Sequence, residues 1–91
     1  MPDELPPLHQ AVQSSNIASA AFLEPDATGY GTVQVLFKSG VLWNYKNVHR
    51  DKFQELVESE SVGAYFAHEI KAHPELHEAE RVGEWPSEKN P

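Results

Sequence analysis

Ser61 and Gly63 stand at the start of a predicted helix, where they could contact a phosphate group. Free backbone N–H groups and the positive end of the helix dipole favour an anion there, and glycine lets a ligand approach closely. Lys71 or Arg50 would supply positive charge if the fold brings either side chain near. The alternative is a simple helix cap, in which Gly63 allows the helix to pack closely against a neighbouring element. The residue types favour the cap.

Trp43 and Tyr45 are two residues apart in a predicted strand and therefore share one face of it. Aromatic rings on a sheet can stack on the bases of a single-stranded nucleic acid. The alternative places both rings in the core beneath the helices, beside Val33 and Val35. Core packing is favoured, with the Tyr45 hydroxyl reaching the rim.

Histidines near the end of the second predicted helix suggest a metal site. His73 and His77 are four residues apart, and His68 and Glu69 lie close in sequence. Zinc needs three or four convergent ligands, and Pro74 interrupts the helix that would align these side chains. We therefore expect no metal site, and solvated histidines that make this region sensitive to pH.

The residue types in the sequence support a catalytic function less than a binding function. The residue types of a serine-type triad are present without a nucleophile-elbow motif, as Ser14, Ser15, Asp26 and His49. The glutamates of residues 55–60 are typical of the solvated side of a helix rather than of a paired acid and base. We predict a protein that is not an enzyme and uses no cofactor.

The elements that must position these residues follow from hydrophobic periodicity. Strands are predicted over residues 17–23, 32–38 and 41–48, and Ser39 and Gly40 turn the second strand into the third. Helices are predicted over residues 51–60 and 62–72, and Ser61 is expected to cap the second. The predicted fold is α+β: a three-stranded antiparallel meander packed against two short helices, in the order β-β-β-α-α.

Apolar side chains on the helices repeat with helical spacing. In the first helix they are Phe53, Leu56 and Val57; in the second they are Val62, Phe66 and Ile70. On the strands, Leu36, Leu42 and Phe22 would lie on the opposite face of the sheet. Such apolar surface suggests a contact with a second copy of the chain, so a homo-oligomer is expected.

The ends of the chain differ from its centre in composition and charge. Residues 1–13 are proline-rich and read as a flexible tail; residues 74–91 read as a short helix over 74–81 and an acidic tail. Of the net charge of −7, only −2 falls within residues 14–73. This balance disfavours tight nonspecific binding to long nucleic acids. No apolar segment long enough for a membrane span occurs, so a cytoplasmic protein with no membrane association is expected.

Several segments in a fixed order resemble the KTSC domain, a short domain found at the C-terminus of some lysyl-tRNA synthetases and as stand-alone bacterial and bacteriophage proteins. The segments are Ser14-Ser15-Asn16-Ile17, the Val-x-Val-x-Phe strand ending in Ser39-Gly40, Trp43-Asn44-Tyr45-Lys46-Asn47-Val48, Ser61-Val62-Gly63-Ala64-Tyr65-Phe66 and Ile70-Lys71. The resemblance covers roughly residues 12–73. Trp43 replaces the first tyrosine of the family's Tyr-x-Tyr, and His49 replaces its usual proline. The resemblance implies a non-enzymatic protein, with RNA binding as one suggested function.

These observations predict a small non-catalytic binding module for RNA or a compact phosphorylated ligand such as a nucleotide. The expected ligand-binding residues are Ser61, Gly63, Lys71, Tyr45, Trp43 and Arg50. The alternative is a protein-interaction module, such as an acidic, phage-encoded inhibitor or adaptor. In that case Trp85, a large apolar side chain near the C-terminus, would dock on a protein partner.

Overall fold

A five-stranded antiparallel sheet forms the centre of the protein in a computed structural model that describes residues 6 and 8–85. Its strands are β1 (Gln10–Ala11), β2 (Ile17–Leu23), β3 (Tyr30–Phe37), β4 (Val41–His49) and β5 (Ala79–Glu84), and they lie in sequence order across the sheet. The predicted α+β class, with an antiparallel sheet and two helices, is confirmed. The predicted number of strands is wrong, because β1 and β5 add one strand at each edge of the expected meander.

The β3–β4 hairpin lies inside the sheet, with a further paired strand on each side. Val33 pairs with Tyr45, and Val35 pairs with Trp43. Gly40 closes the turn with a φ of 96°, and its N–H donates to the Phe37 carbonyl at 2.8 Å. A left-handed backbone of this kind favours glycine, so this residue fixes where β3 reverses into β4.

The hydrophobic core lies between one face of the sheet and the helices. Its buried members are Ile17, Val33, Val35, Tyr45, Val48, Leu56, Val62, Phe66 and Ile70. Alternation along β3 and β4 places Val33, Val35 and Tyr45 on the same face, as the sequence pattern predicts. Val48 joins them because the pairing register shifts between Tyr45 and Val48, where Asn47 has a φ of 63°.

Helix α1 (Arg50–Glu58) follows β4 directly, with His49 as its N-cap. The His49 Nδ1 atom accepts a hydrogen bond from the Asp51 N–H at 3.1 Å. Leu56 is buried on the inner side of α1, and Phe53 stacks on Phe22 of β2 with ring centroids 5.5 Å apart.

Helix α2 (Val62–Phe66) begins at the predicted cap Ser61 and continues as a π-helical turn over Ala67–Lys71. The predicted stripe of Val62, Phe66 and Ile70 is confirmed, since each is no more than 2% exposed. Residues spaced by four drift about 40° around a regular α-helix at each step. The wider π turn reduces this drift and keeps Ile70 in the core.

The chain termini depart from the sequence-based expectation. Part of the predicted tail 1–13 is ordered: β1 pairs with β2 through Gln10 and Ala20. The helix predicted over 74–81 is a single turn followed by β5. Residues 79–81 form a strand instead of continuing the predicted helix because they pair with β4: Arg81 lies opposite Trp43, and Ala79 lies opposite Tyr45. The rest of both predicted tails, residues 1–5, 7 and 86–91, lies outside the described residues.

The outer face of the sheet does not expose the leucines that suggested self-association. Leu36 and Leu42 pair across β3 and β4 and are only 6% and 7% exposed within a single chain. A row of hydrogen bonds runs beside them: His9 bonds Ser19 and Gln34, and Gln34 donates to Asn44 at 3.0 Å. These contacts hold the segment before β1 against the sheet. Within the described part of the chain, no helix is long and apolar enough to cross a membrane.

Candidate functional site

The six predicted ligand-binding residues lie in three separate places. Trp43, Tyr45 and Lys71 line one cavity, whereas Ser61 and Gly63 line another. Arg50 is exposed at the first position of α1 and lines neither.

The aromatic cavity has a volume of about 280 Å³ and opens between the β3–β4 hairpin, the π turn and the segment before β5. Its lining residues are Phe37, Trp43, Tyr45, Lys71, Pro74, His77 and Ala79. Most of these side chains are apolar or aromatic, so the cavity suits a flat ring better than a strongly hydrated group.

The two aromatic residues of β4 differ in their exposure at this cavity. Tyr45 is 5% exposed and makes an edge-to-face contact with Phe66, with ring centroids 4.9 Å apart. Burial raises the pKa of its hydroxyl above the ordinary value. Trp43 is partly exposed and stacks on Tyr45 at 6.3 Å. Tyr45 is thus a core residue that supports Trp43, and Trp43 presents its ring to the cavity.

Lys71 brings positive charge to the aromatic cavity. It is the last residue of the π turn, so the position of this cation depends on the same turn that buries Ile70. Lys71 is exposed and is the only Lys or Arg among the described residues of the lining. Among the residues that the structure describes, it forms no ion pair. Its charge is therefore available to an anionic group held beside the aromatic rings.

His77 forms a wall of the aromatic cavity, and the sequence did not predict this. The prediction of a solvated histidine is wrong for this residue, because it is 5% exposed. Its Nδ1 donates to the Lys46 carbonyl at 3.2 Å, since a carbonyl can only accept. Its Nε2 therefore accepts from the Lys52 ammonium at 3.1 Å. Burial lowers the pKa of His77, and the charge of Lys52 lowers it further. The hydrogen bond to the Lys46 carbonyl raises this pKa and offsets part of the decrease.

The polar cavity around Ser61 and Gly63 has a volume of about 490 Å³ and also includes Ser14, Asn16 and Glu60. The Ser61 hydroxyl accepts from the Ala64 N–H at 3.4 Å, which makes it the helix cap that the sequence favoured. A Cβ atom on Gly63 would lie 3.1 Å from both the Ser14 Oγ and the Asn16 Oδ1. Gly63 therefore permits close packing of α2 against the loop before β2.

The electrostatics of the polar cavity do not favour a phosphate. Its described lining holds the carboxylate of Glu60 and no basic side chain. Neither Lys71 nor Arg50 reaches it, although the phosphate interpretation required one of them.

Two of the candidate metal ligands, His73 and His77, have other partners. His73 lies 3.3 Å from the Glu75 carboxylate, and the two nitrogens of His77 are bound to Lys46 and Lys52. No group of three or more metal-ligating side chains occurs within the described ranges.

Comparison with known families gives one match: the family model of the KTSC domain aligns with residues 13–73. The match includes β2, β3, β4, α1, α2 and the π turn, and so takes in Trp43, Tyr45 and Lys71. It ends before His77 and β5, which complete the aromatic cavity. A comparison with curated proteins found no match.

Proposed function

The chain belongs to the KTSC domain family, and from this we propose that it is a non-catalytic binding module for a compact ligand that combines a planar ring with a phosphate, as a nucleotide does. The observation that carries the proposal is the meeting of Trp43, Tyr45 and Lys71 around one cavity. Trp43 and Tyr45 share one strand, whereas Lys71 is distant from them in sequence and is brought to the cavity by the π turn.

The chemistry of the lining supports a nucleotide. A base would stack on the exposed part of Trp43, whose opposite side is supported by Tyr45. The Lys71 ammonium would bind the phosphate as a charge-assisted donor. At about 280 Å³ the cavity is near the lower end of ordinary ligand sites, which begin at about 300 Å³. It therefore suits a single nucleotide or the terminal nucleotide of an RNA.

The proposal is tested by titrating the full chain with the four ribonucleoside monophosphates and recording backbone amide NMR shifts. We expect saturable shifts in β4 and the π turn. Lys71→Gln should lower the affinity about 10- to 100-fold, because one charge-assisted hydrogen bond is lost. Trp43→Leu should lower it about 5- to 100-fold through loss of stacking.

Lys38→Gln is the matched control, since Lys38 is an exposed lysine outside the aromatic cavity. It should leave nucleotide affinity unchanged. If no nucleotide binds, or if Lys38→Gln and Lys71→Gln weaken binding equally, the proposed function is wrong.

A further inference from the structure

A second cavity, the Lys52 cavity, shares His77 with the aromatic cavity. It has a volume of about 220 Å³ and is lined by Tyr30, Asn47, His49, Lys52, Leu76 and His77. Three elements build it: the start of β3, the end of β4 with the first turn of α1, and the turn before β5. His77 lines both cavities, whereas Lys52 lines only this one and Lys71 only the aromatic cavity.

Lys52 is a partly buried cation whose described partners are all neutral. Its ammonium donates to the Glu69 carbonyl at 3.2 Å and to His77 Nε2 at 3.1 Å. An ammonium carries three N–H donors, so one donor and the full positive charge remain available. No acidic residue belongs to the described lining of the cavity.

The walls around this cation are largely apolar and accessible. Leu76 is 51% exposed and Tyr30 is 43% exposed, and both are among the few large apolar side chains that the structure leaves so open. The Tyr30 ring is held by an edge-to-face contact with His49, with ring centroids 4.9 Å apart. The cavity thus presents one cationic donor at its base and an apolar rim.

We propose that the Lys52 cavity binds a small organic monoanion, a carboxylate with an apolar or aromatic body. The carboxylate accepts from the free N–H of Lys52, and the body packs against Leu76 and Tyr30. Charge matching selects a monoanion, because Lys52 is the only fixed positive charge in the described lining, and His77 is neutral when its Nε2 accepts from the Lys52 ammonium. Asp51 lies 3.6 Å from His49 near this region, but it is 83% exposed and therefore screened by water.

The test compares three small probes by NMR titration of the full chain: benzoate, acetate and the neutral isostere benzamide. Benzoate should shift the amides of residues 30, 52, 76 and 77, acetate should bind more weakly, and benzamide should not saturate. Lys52→Gln should lower benzoate affinity about 10- to 100-fold through loss of the charge-assisted hydrogen bond. Lys71→Gln and Lys38→Gln should leave benzoate affinity unchanged.

A second pair of variants avoids the hydrogen bonds that Lys52 makes within the fold. Leu76→Glu adds a negative charge at the exposed rim and should abolish benzoate binding, whereas Leu76→Gln keeps a similar size and should weaken it far less. Equal binding of benzoate and benzamide, equal effects of the two Leu76 variants, or tighter binding of phenyl phosphate than of benzoate would overturn the proposal. Nucleotide binding depends on Lys71 instead, so either proposal can fail without the other.

Discussion

At the scale of single residues, the partly buried His9 and the buried His77 link stability to pH. Burial lowers the pKa of His9 and of His77 below the ordinary value of 6.5. On the outer face the His9 Nε2 donates to the Gln34 side-chain oxygen at 2.9 Å, and the His9 Nδ1 lies 2.7 Å from the Ser19 hydroxyl. On the inner side His77 contacts Lys46 and Lys52. Each is therefore more difficult to protonate in the folded protein than in the unfolded chain.

Acidification should destabilise the protein as a result. Below about pH 6.5 the unfolded chain binds more protons, so the free energy of unfolding falls as pH drops towards the folded-state pKa values. The slope is at most about 1.4 kcal/mol per pH unit for each histidine. Urea unfolding at a series of pH values below about 6.5 measures this slope. The His77→Gln variant cannot titrate at this position, so its free energy of unfolding should depend less on pH. A free energy that stays constant or rises on acidification would contradict this assignment.

Gly63 offers a second test, of packing rather than charge. A Cβ at this position would lie 3.1 Å from two oxygens that are already hydrogen-bonded to each other, Ser14 Oγ and Asn16 Oδ1. Overpacking of this kind costs about 1–3 kcal/mol, whereas alanine gains at most about 1 kcal/mol in helix propensity. We expect Gly63→Ala to lower the free energy of unfolding by about 1 kcal/mol in chemical denaturation.

Ser14→Gly removes one of the two crowding atoms and serves as the partner in a double-mutant cycle. The loss caused by Gly63→Ala should be smaller in the Ser14→Gly background. If the changes in the free energy of unfolding caused by the two substitutions simply add, close contact with the loop before β2 is not the reason that position 63 requires glycine.

At the scale of elements, the sheet should open from its edges inward. β3 and β4 each have paired neighbours on both sides and carry the buried Val33, Val35 and Tyr45. β1 contains two residues, and all residues of β5 except Gly83 are exposed. We expect amide hydrogen exchange near the global unfolding limit in β3, and much faster exchange in β1 and β5. Equal protection in β5 and β3 would show that the edge strand unfolds only with the core.

The elements that sequence reasoning found are those with a clear period. Residues 41–48 are predicted nearly as β4 occurs, because alternating apolar side chains mark a half-buried strand. Residues 17–23 coincide with β2 although their alanine-rich sequence is a weaker strand signal. β5 carries four charged or glycine residues among its six, so its strand conformation arises from pairing with β4. The π turn was also missed, although the four-residue spacing of Val62, Phe66 and Ile70 is the signal that could have indicated it.

In the candidate site too, features that follow from local sequence could be predicted, and features that depend on the tertiary fold could not. The shared face of Trp43 and Tyr45 follows from the period of a strand, so their proximity could be predicted. The approach of Lys71 depends on the π turn, and the inward position of His77 depends on contacts with Lys46 and Lys52. Ser61 and Gly63 were placed at a helix start correctly, but the positions of Lys71 and Arg50 away from their cavity depend on the tertiary fold and could not be predicted locally.

At the scale of the whole molecule, charge is distributed in a way that favours small ligands. The net charge is −7, but Lys71 and Lys52 each face a cavity whose described lining contains no carboxylate. A long polyanion would meet the overall negative field, whereas a small anion meets only the local cation. The Cα radius of gyration of 12.7 Å is close to the roughly 12 Å expected for a compact chain of this length. Both cations therefore belong to one compact body, and their two cavities share His77.

The irregular pairing of β5 has a consequence for the behaviour of the protein at high concentration. Leu42 pairs with Gly83 and Trp43 with Arg81, so Val82 has no counterpart and forms a bulge in the outermost strand. Fibril growth requires a flat, regular strand edge on which identical copies can stack. A bent edge flanked by Glu80, Arg81 and Glu84 is a poor template for such growth. The bulge therefore lets an open sheet remain dispersed in a crowded solution, where a straight edge would promote cross-β assembly.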